Sequence, residues 1–179
     1  MTDGGPSLRQ APPAIFLMGT IGAGKTTLGL ALAKARGGRH IEADDYHHPS
    51  RPWFATSLST CRQVLKAVLA AAGQGAPAVI SYPLRCREWL FYRRRLADAG
   101  LPCAFVTLAA SRGALLDADR GRNFSREERR RIGEMLLQGY DSRPFADLLV
   151  RTDMGAPDDS LDRLTSGLEA LGILDRPSD

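Results

Sequence analysis

The sequence predicts an α/β protein in three layers, with helices on both faces of a five-stranded parallel sheet. Short apolar runs that suit buried strands alternate along the chain with longer stretches that carry apolar residues at helical spacing. Such alternation is typical of right-handed β-α-β units, which place successive strands parallel to one another. We expect one domain over residues 14–175, after a flexible tail over residues 1–13 that is rich in Gly and Pro.

Four short apolar runs are candidate strands, and they cover residues 14–18, 78–81, 103–108 and 148–150. The mixed run RHIEA over residues 39–43 is a plausible further strand, which makes five. Between and after them, helical periodicity covers residues 28–36, 58–72, 87–99, 126–140 and 161–171. Glycines close the first three of these helices, and Ser125 with Glu128 forms a capping box that opens the fourth.

Composition excludes several classes of protein. With 44% hydrophobic and 25% charged residues among 179, the chain has the make-up of a globular protein, and no apolar run approaches a membrane span. The N-terminus lacks the pattern of a signal peptide, so we expect a cytoplasmic protein. The three cysteines have no metal-binding spacing. A net charge of +4 is compatible with nucleic-acid binding, but no known nucleic-acid module is visible, so nucleic acid is not an expected partner.

A glycine-rich motif follows the first candidate strand and precedes the first candidate helix, and it fits GxxxxGK[ST] at every fixed position. Its glycines let backbone N–H groups surround a phosphate, while the Lys25 ammonium bridges the β- and γ-oxygens and the Thr26 hydroxyl ligates Mg²⁺. The three-layer prediction therefore becomes that of a P-loop NTPase fold. The predicted nucleotide-binding residues are Gly19, Thr20, Ile21, Gly22, Ala23, Gly24, Lys25, Thr26 and Thr27.

An acidic segment, Glu42 to Pro49, follows the second candidate strand. Ligands of open α/β sheets bind outside the carboxyl ends of the strands, so these side chains should face the phosphates. A carboxylate there can hold the water shell of the metal and accept the proton of an attacking hydroxyl. We favour Asp44 for both roles, with Asp45 as the alternative base and as a substrate contact; a solvated turn or a helix cap is the other interpretation. One of His47 and His48 is a candidate substrate contact, with His47 preferred.

These motifs resemble those of small-molecule kinases of the gluconate kinase and shikimate kinase type, which are related to the nucleoside monophosphate kinases. GTIGAGKTT followed by EADDYHHP is similar to the gluconate kinase P-loop and its D-G-D-x-L-H-P motif, with Glu42 in place of the first Asp. The resemblance implies that ATP and Mg²⁺ are the cofactors. DDYHHP also resembles, more weakly, the D-D-F-Y-x-P segment of uridine-kinase-like enzymes.

The same resemblance implies an acceptor site. Arg51-Pro52-Trp53 is similar to an R-x-P-W element of gluconate kinases, which makes Trp53 a candidate substrate contact. The segment SYPLRCREWLFYRRR is similar to their S-A-L-K-R-x-Y-R-D segment and places Arg85 at the substrate. Ser142 to Asp147 instead resembles the R-x-P-L-Y-x-E-A-D segment of shikimate kinases, whose Arg touches an acidic substrate, and this implies the same role for Arg143.

An arginine-rich segment over residues 111–131 lies where this group of kinases carries a mobile lid. Guanidinium groups that close over the transferring phosphate stabilise its charge and exclude water. Arg120 and Arg122, on either side of Gly121, are the predicted catalytic arginines. For Arg126 and Arg129 to Arg131, which follow the capping box, a solvated helix face is the favoured interpretation.

The sequence thus predicts an ATP-dependent phosphotransferase that moves the γ-phosphate to a hydroxyl of a small, anionic acceptor such as a sugar acid or a shikimate-like compound. The predicted catalytic residues are Lys25, Asp44, Arg120 and Arg122. A nucleoside or nucleotide kinase is the alternative. A nucleotide-dependent switch or nucleic-acid-binding ATPase is disfavoured, because the third strand does not end in an acidic residue and no NKxD element is present. We expect a monomer or a homodimer.

Overall fold

The computed structural model describes residues 11–47, 53–117 and 123–175, and the side chains of residues 53–56 are outside that description. Five parallel strands form one sheet with the order β2-β3-β1-β4-β5. The strands are β1 (Ala14–Gly19), β2 (Arg39–Glu42), β3 (Ala78–Ser81), β4 (Cys103–Ala109) and β5 (Leu148–Arg151). The helices are α1 (Lys25–Ala35), α2 (Trp53–Gly73), α3 (Cys86–Asp98), α4 (Arg112–Leu116), α5 (Arg126–Leu137) and α6 (Pro157–Ala170), and a 3₁₀ helix covers Ala43–Tyr46.

Strand β1 lies in the middle of the sheet and is buried along its whole length. Its side chains alternate between the two faces, as the pleat of a strand requires. Ile15 and Leu17 pack in one core cluster with residues of α1 and α6. Phe16 and Met18 pack in a second cluster with residues of α2 and α3. Because helices cover both faces, the predicted three-layer α/β/α class with a five-stranded parallel sheet is confirmed.

The boundaries differ from the sequence-based ones where the chain turns. Strand β2 ends at Glu42 because the chain enters the 3₁₀ helix, in which the His47 N–H donates to the Asp44 carbonyl at 3.1 Å. Helix α5 ends before Tyr140, since Gly139 adopts a positive φ of 66° and the Tyr140 N–H closes the end of the helix on the Met135 carbonyl at 3.1 Å. The short helix α4, capped by the Ser111 hydroxyl, lies in the arginine-rich segment that was predicted to be the lid.

Within the described ranges, no helix is both long enough and apolar enough to cross a membrane. The division into a tail over residues 1–13 and a domain over residues 14–175 stays a prediction.

Candidate active site

The glycine-rich loop joins β1 to α1 and has a backbone that only glycine adopts easily. Gly22 and Gly24 have φ angles of 81° and 91°, in the left-handed region. A Cβ atom added at Gly22 would lie 2.9 Å from the Phe124 ring, and one added at Gly19 would lie 2.4 Å from the Leu108 carbonyl oxygen. The Phe124 ring and the Leu108 backbone therefore pack tightly against the loop at these two glycines. In this conformation the Lys25 ammonium donates to the loop carbonyls of Thr20 at 2.7 Å and Gly19 at 3.2 Å.

A cavity of about 340 Å³ opens in front of this loop. Six of the nine predicted nucleotide-binding residues line it, together with two carboxylates of the 42–44 segment, a side chain of α4 and the side chains of one residue just after α4 and one just before α5. The lining residues are Ile21, Gly22, Gly24, Lys25, Thr26, Thr27, Glu42, Asp44, Leu115, Asp117 and Phe124.

Three of the predicted nucleotide-binding residues, Gly19, Thr20 and Ala23, are instead buried beneath the loop. Their contribution is through the backbone. The Ala23 carbonyl accepts a hydrogen bond from the Thr152 hydroxyl at 3.1 Å, which fixes the loop to the residue that follows β5. These residues thus support the shape of the loop from below.

Glu42 at the end of β2 accepts a hydrogen bond from the Thr26 hydroxyl at 2.7 Å. Burial raises the pKa of the Glu42 carboxyl above its usual range; the bond from Thr26 opposes this effect and the neighbouring Asp44 charge adds to it. Sequence reasoning gave Glu42 no role, although its place at the first acidic position of the motif was a usable signal. Hydroxyl and carboxylate oxygens are the ligands that Mg²⁺ prefers, so Thr26, Glu42 and Asp44 form a donor set that fits this ion.

A second cavity, of about 330 Å³, lies next to the first, and Asp44 lines both. Among the residues that the sequence assigned to the acceptor site, the structure brings Arg85 and His47 together here. The lining residues come from the 3₁₀ helix and the residue after it, α2, the segment between β3 and α3, the first turn of α3, α5 and the turn that follows α5: Asp44, His47, Ser57, Tyr82, Pro83, Arg85, Glu88, Arg131, Gln138 and Tyr140.

Arg85 is held in this cavity by a buried carboxylate. Its guanidinium donates to Glu88 at 2.8 Å, and Glu88 also accepts from the Arg85 backbone N–H and the Ser57 hydroxyl, each at 3.0 Å. The Glu88 side chain is 6% exposed, whereas that of Arg85 is 40% exposed. A buried carboxylate needs such donors, and in return it fixes the orientation of the arginine at the cavity wall.

Arg143 packs on residues that line the second cavity, and its contact with the substrate stays a prediction. Its guanidinium carbon lies 3.7 Å from the centre of the Tyr140 ring, and it donates to the Gln138 carbonyl at 3.1 Å. In the described part of the chain it supports two lining residues and is not itself among those that line the cavity. The cause is the end of α5 at Leu137, which puts Tyr140 on the loop where the arginine can stack on it.

The other predicted site residues fall outside the two cavities or outside the described residues. Asp45 is exposed on the 3₁₀ helix and lines neither cavity as far as the described chain shows. The Trp53 side chain, His48, Arg120 and Arg122 lie outside the described residues. The assignments of Trp53, Arg120 and Arg122 therefore stay predictions.

Arg131 is a cavity residue that sequence reasoning placed on a solvated face. It lines the second cavity and donates to Glu134 at 3.2 Å. It shares a helix face with Gln138, seven residues and two turns further on, which also lines the cavity. The capping box gave the helix register, but only the folded chain shows which face meets the cavity.

The start of the arginine-rich segment is fixed to the end of β5. The Asp153 carboxylate accepts from the Ser111 N–H at 2.8 Å and from two nitrogens of Arg151 at 2.8 and 2.9 Å. The bonds from Arg151, and then that from Ser111, hold the pKa of Asp153 well below its usual range. This carboxylate therefore stays ionised and anchors the segment from which α4 begins.

A phosphate-binding loop between a central strand and a helix, with a threonine and carboxylates beside it, defines a P-loop nucleotide-binding protein. The adjoining cavity adds room for a second, small ligand. The chain belongs to the AAA domain family, whose model matches residues 15–143.

Individual relatives point the same way. A gluconokinase from Gluconobacter oxydans (strain 621H) is 29% identical over 133 residues, which cover 65% of this chain and 69% of that protein. The crystal structure of a gluconokinase from Sinorhizobium meliloti 1021 has a TM-score of 0.62 at 24% identity and covers 91% of this chain and 95% of its own. A shikimate kinase from Bacteroides thetaiotaomicron has a TM-score of 0.52 at 22% identity, over 88% and 98% of the two chains. The resemblance to P-loop small-molecule kinases is confirmed.

Proposed function

We propose that this protein is an ATP-dependent phosphotransferase that moves the γ-phosphate to a hydroxyl of a small acceptor bound in the second cavity. One observation carries the proposal: Asp44 lines both cavities, so a carboxylate stands where an acceptor hydroxyl would meet a bound phosphate. Kinase relatives support the same reaction class.

The nucleotide would be held by the N–H groups of the loop and by the N-terminus of α1. Lys25, which donates to two loop carbonyls in the described conformation, would exchange them for β- and γ-oxygens of ATP. Thr26, Glu42 and Asp44 are the residues that would hold Mg²⁺. When bound, this ion neutralises part of the negative charge of the phosphates.

In the transfer step, the acceptor oxygen forms a bond to the γ-phosphorus while the bond from phosphorus to the β,γ-bridging oxygen breaks, and ADP leaves. Asp44 would orient the acceptor hydroxyl and take its proton. Lys25, together with Arg120 or Arg122, would stabilise the charge that spreads over the transferring oxygens.

For the acceptor we propose a small anionic hydroxyl compound, a sugar acid or a shikimate-like acid. Support comes from Arg85 in the cavity and from the gluconokinase and shikimate kinase relatives. His47 lines the same cavity and is proposed as a substrate contact, with Asp45 and Trp53 as further contacts once the acceptor is bound. A cytoplasmic location and a monomeric or homodimeric state complete the proposal.

A nucleoside or nucleotide kinase is the second candidate. Two tyrosines, Tyr82 and Tyr140, line the acceptor cavity, and their ring faces would suit a planar base. This alternative predicts phosphorylation of a nucleoside in the same cavity, with Asp44 in the same role.

A mixed-acceptor assay tests these functions. The protein is incubated with ATP, Mg²⁺ and pools of sugar acids, shikimate, nucleosides or single-stranded nucleic acid, and both ADP release and acceptor mass are followed. We expect a gain of one phosphate on a member of the acid pools. Phosphorylated nucleoside would favour the second candidate, and acceptor-independent turnover that rises with nucleic acid would contradict both.

A further inference from the structure

We propose that Arg131 on α5 determines the preference for an acidic acceptor by holding, together with Arg85, the anionic group of that acceptor. This inference rests on the proposed function and adds the residue that makes the site prefer a negatively charged acceptor to a neutral one.

Arg85 and Arg131 are placed where one acceptor would meet both of them. Arg85, before α3, and Arg131, on α5, come from different elements yet line the same cavity, whereas neither lines the nucleotide cavity. Asp44 lines both cavities and therefore marks the reacting end. An acceptor whose hydroxyl lies at Asp44 would direct its remaining groups toward walls that carry these two guanidinium groups.

The guanidinium groups of Arg85 and Arg131 are both oriented by a neighbouring carboxylate. Each of the two arginines pairs with a glutamate three residues later in the chain: Arg85 with Glu88 at 2.8 Å and Arg131 with Glu134 at 3.2 Å. Their side chains are 40% and 42% exposed, so part of each remains accessible from solvent. A guanidinium that is already oriented loses less conformational entropy when it binds a carboxylate.

The net charge of the second cavity's lining depends on Arg131. The cavity lining carries two carboxylates, Asp44 and Glu88, and two guanidinium groups, Arg85 and Arg131. Without Arg131 the lining would have two negative groups against one positive group, and an anionic acceptor would meet a net repulsion. By this count the lining is neutral with Arg131 and negative without it.

Arg143, the residue that the resemblance nominated for this task, is committed elsewhere. Its guanidinium stacks on the Tyr140 ring and donates to the Gln138 carbonyl. It acts as a positioning residue for two lining residues, and the contact with the anion falls to Arg131.

The chain provides a matched control in Arg130. It sits on the same helix and pairs with the same Glu134 carboxylate, yet its side chain is 67% exposed. In the described structure it is absent from the residues that line the cavity. Arg130→Gln thus removes the same charge from the same helix without touching the cavity wall.

The test compares Arg131→Gln with Arg130→Gln on two acceptor pairs: gluconate with its reduced alcohol glucitol, and shikimate with its methyl ester. We expect Arg131→Gln to raise KM for the acid by about 10- to 100-fold, the range for loss of a hydrogen bond between charged groups. KM for the neutral partner and for ATP should stay within about twofold, as should every constant of Arg130→Gln. Arg131→Lys should restore part of the loss.

Equal effects of the two substitutions, an unchanged KM for the acid in Arg131→Gln, or a wild-type preference for the neutral partner would each overturn the inference. Calorimetric titration of gluconate and shikimate separates this failure from failure of the proposed function. If the wild type binds an acid that Arg131→Gln does not bind, but transfers no phosphate, the proposed function fails and the Arg131 site stands. If phosphate is transferred to an acid and Arg131→Gln behaves like Arg130→Gln, the proposed kinase function stands and the role of Arg131 is ruled out.

Discussion

The Thr26 hydroxyl and the Glu42 carboxylate, 16 positions apart in the chain, are joined by a hydrogen bond of 2.7 Å between the first turn of α1 and the end of β2. This bond places the carboxylate beside the residue whose hydroxyl is the expected metal ligand of the P-loop. It also extends the site beyond Asp44, the acidic residue that the sequence favoured.

Replacing Glu42 with Gln tests its role beside the metal. An amide keeps the hydrogen bond from Thr26 but loses the negative charge that would help to hold Mg²⁺. We expect the Mg²⁺ concentration for half-maximal activity to rise by about 10-fold or more, since even the loss of an outer-shell partner costs a metal site about 10- to 100-fold in affinity. The measurement is the ATP-dependent rate across a Mg²⁺ titration. Glu127→Gln, on the exposed start of α5, is the control. An unchanged Mg²⁺ dependence would remove Glu42 from the metal site.

Asp44→Asn tests the base. Because an amide cannot accept the hydroxyl proton, we expect kcat to fall by about 10²- to 10⁴-fold while ATP still binds. Nucleotide binding is measured with a fluorescent ATP analogue, and transfer by the mass of the acceptor. Asp45→Asn, one residue away and exposed, should raise KM for the acceptor but keep kcat within about tenfold, because Asp45 is proposed to contact the acceptor without taking its proton. The reverse result, with transfer lost only in Asp45→Asn, would give the role to Asp45.

Gly22→Ala tests how tightly the phosphate loop is packed. The added methyl group would lie 2.9 Å from the Phe124 ring, at a residue whose φ of 81° already disfavours a side chain. We expect ATP affinity to fall sharply, since the backbone strain alone costs about 1–2 kcal/mol. The companion variant Gly22→Ala with Phe124→Ala removes the clash but keeps the strain, so its affinity should recover only in part.

Gly113→Ala is the control for that substitution. Gly113 lies in α4, and a Cβ atom there meets nothing within 4 Å. Its thermal unfolding midpoint and ATP affinity should therefore match or exceed those of the wild type. Equal ATP affinity in Gly22→Ala and the wild type would show that the loop adapts.

Asp153→Asn tests the anchor of the arginine-rich segment through pH. A carboxyl whose pKa is lowered by folding contributes stability above its unfolded pKa of about 3.9, and loses it as pH falls through the lower folded value. We expect the variant to unfold at a lower temperature than the wild type at pH 7, and the gap to narrow below about pH 4. Calorimetric scans at several pH values measure it. A gap that is constant with pH would mean that the negative charge of Asp153, bonded by both Arg151 and the Ser111 N–H, contributes nothing to stability.

The strands were predictable from local pattern. All but β2, whose sequence is mixed, are short and mostly apolar runs, and the central run at Ala14 to Met18 is apolar without interruption because both of its faces are covered. The glycine-rich loop was equally local, since its chemistry depends on a fixed spacing within nine residues. The acceptor site was less predictable. Whether Arg131 faces solvent or a cavity depends on which elements pack against α5, and a helix pattern contains no information about its neighbours.

Arg143 illustrates a second limit of local reading. A family motif gave its residue type and its place in the chain, but the loop geometry after α5 decides where its guanidinium ends. Gly139 turns the chain so that Tyr140 and Arg143 stack on each other, and Tyr140 lies outside the motif.

The strand order gives the phosphate loop supports from both edges of the sheet. Strand β1 is central, and residues at the ends of the two edge strands reach the loop region from opposite sides. Glu42, the last residue of β2, accepts a hydrogen bond from Thr26, and Thr152, just after β5, donates one to the Ala23 carbonyl. A mutational scan selected only for nucleotide affinity should therefore show sensitive positions near residues 42 and 152, more than a hundred residues apart. Substitutions at residues 42 and 152 would therefore lower the stability of the fold and the affinity for the nucleotide together.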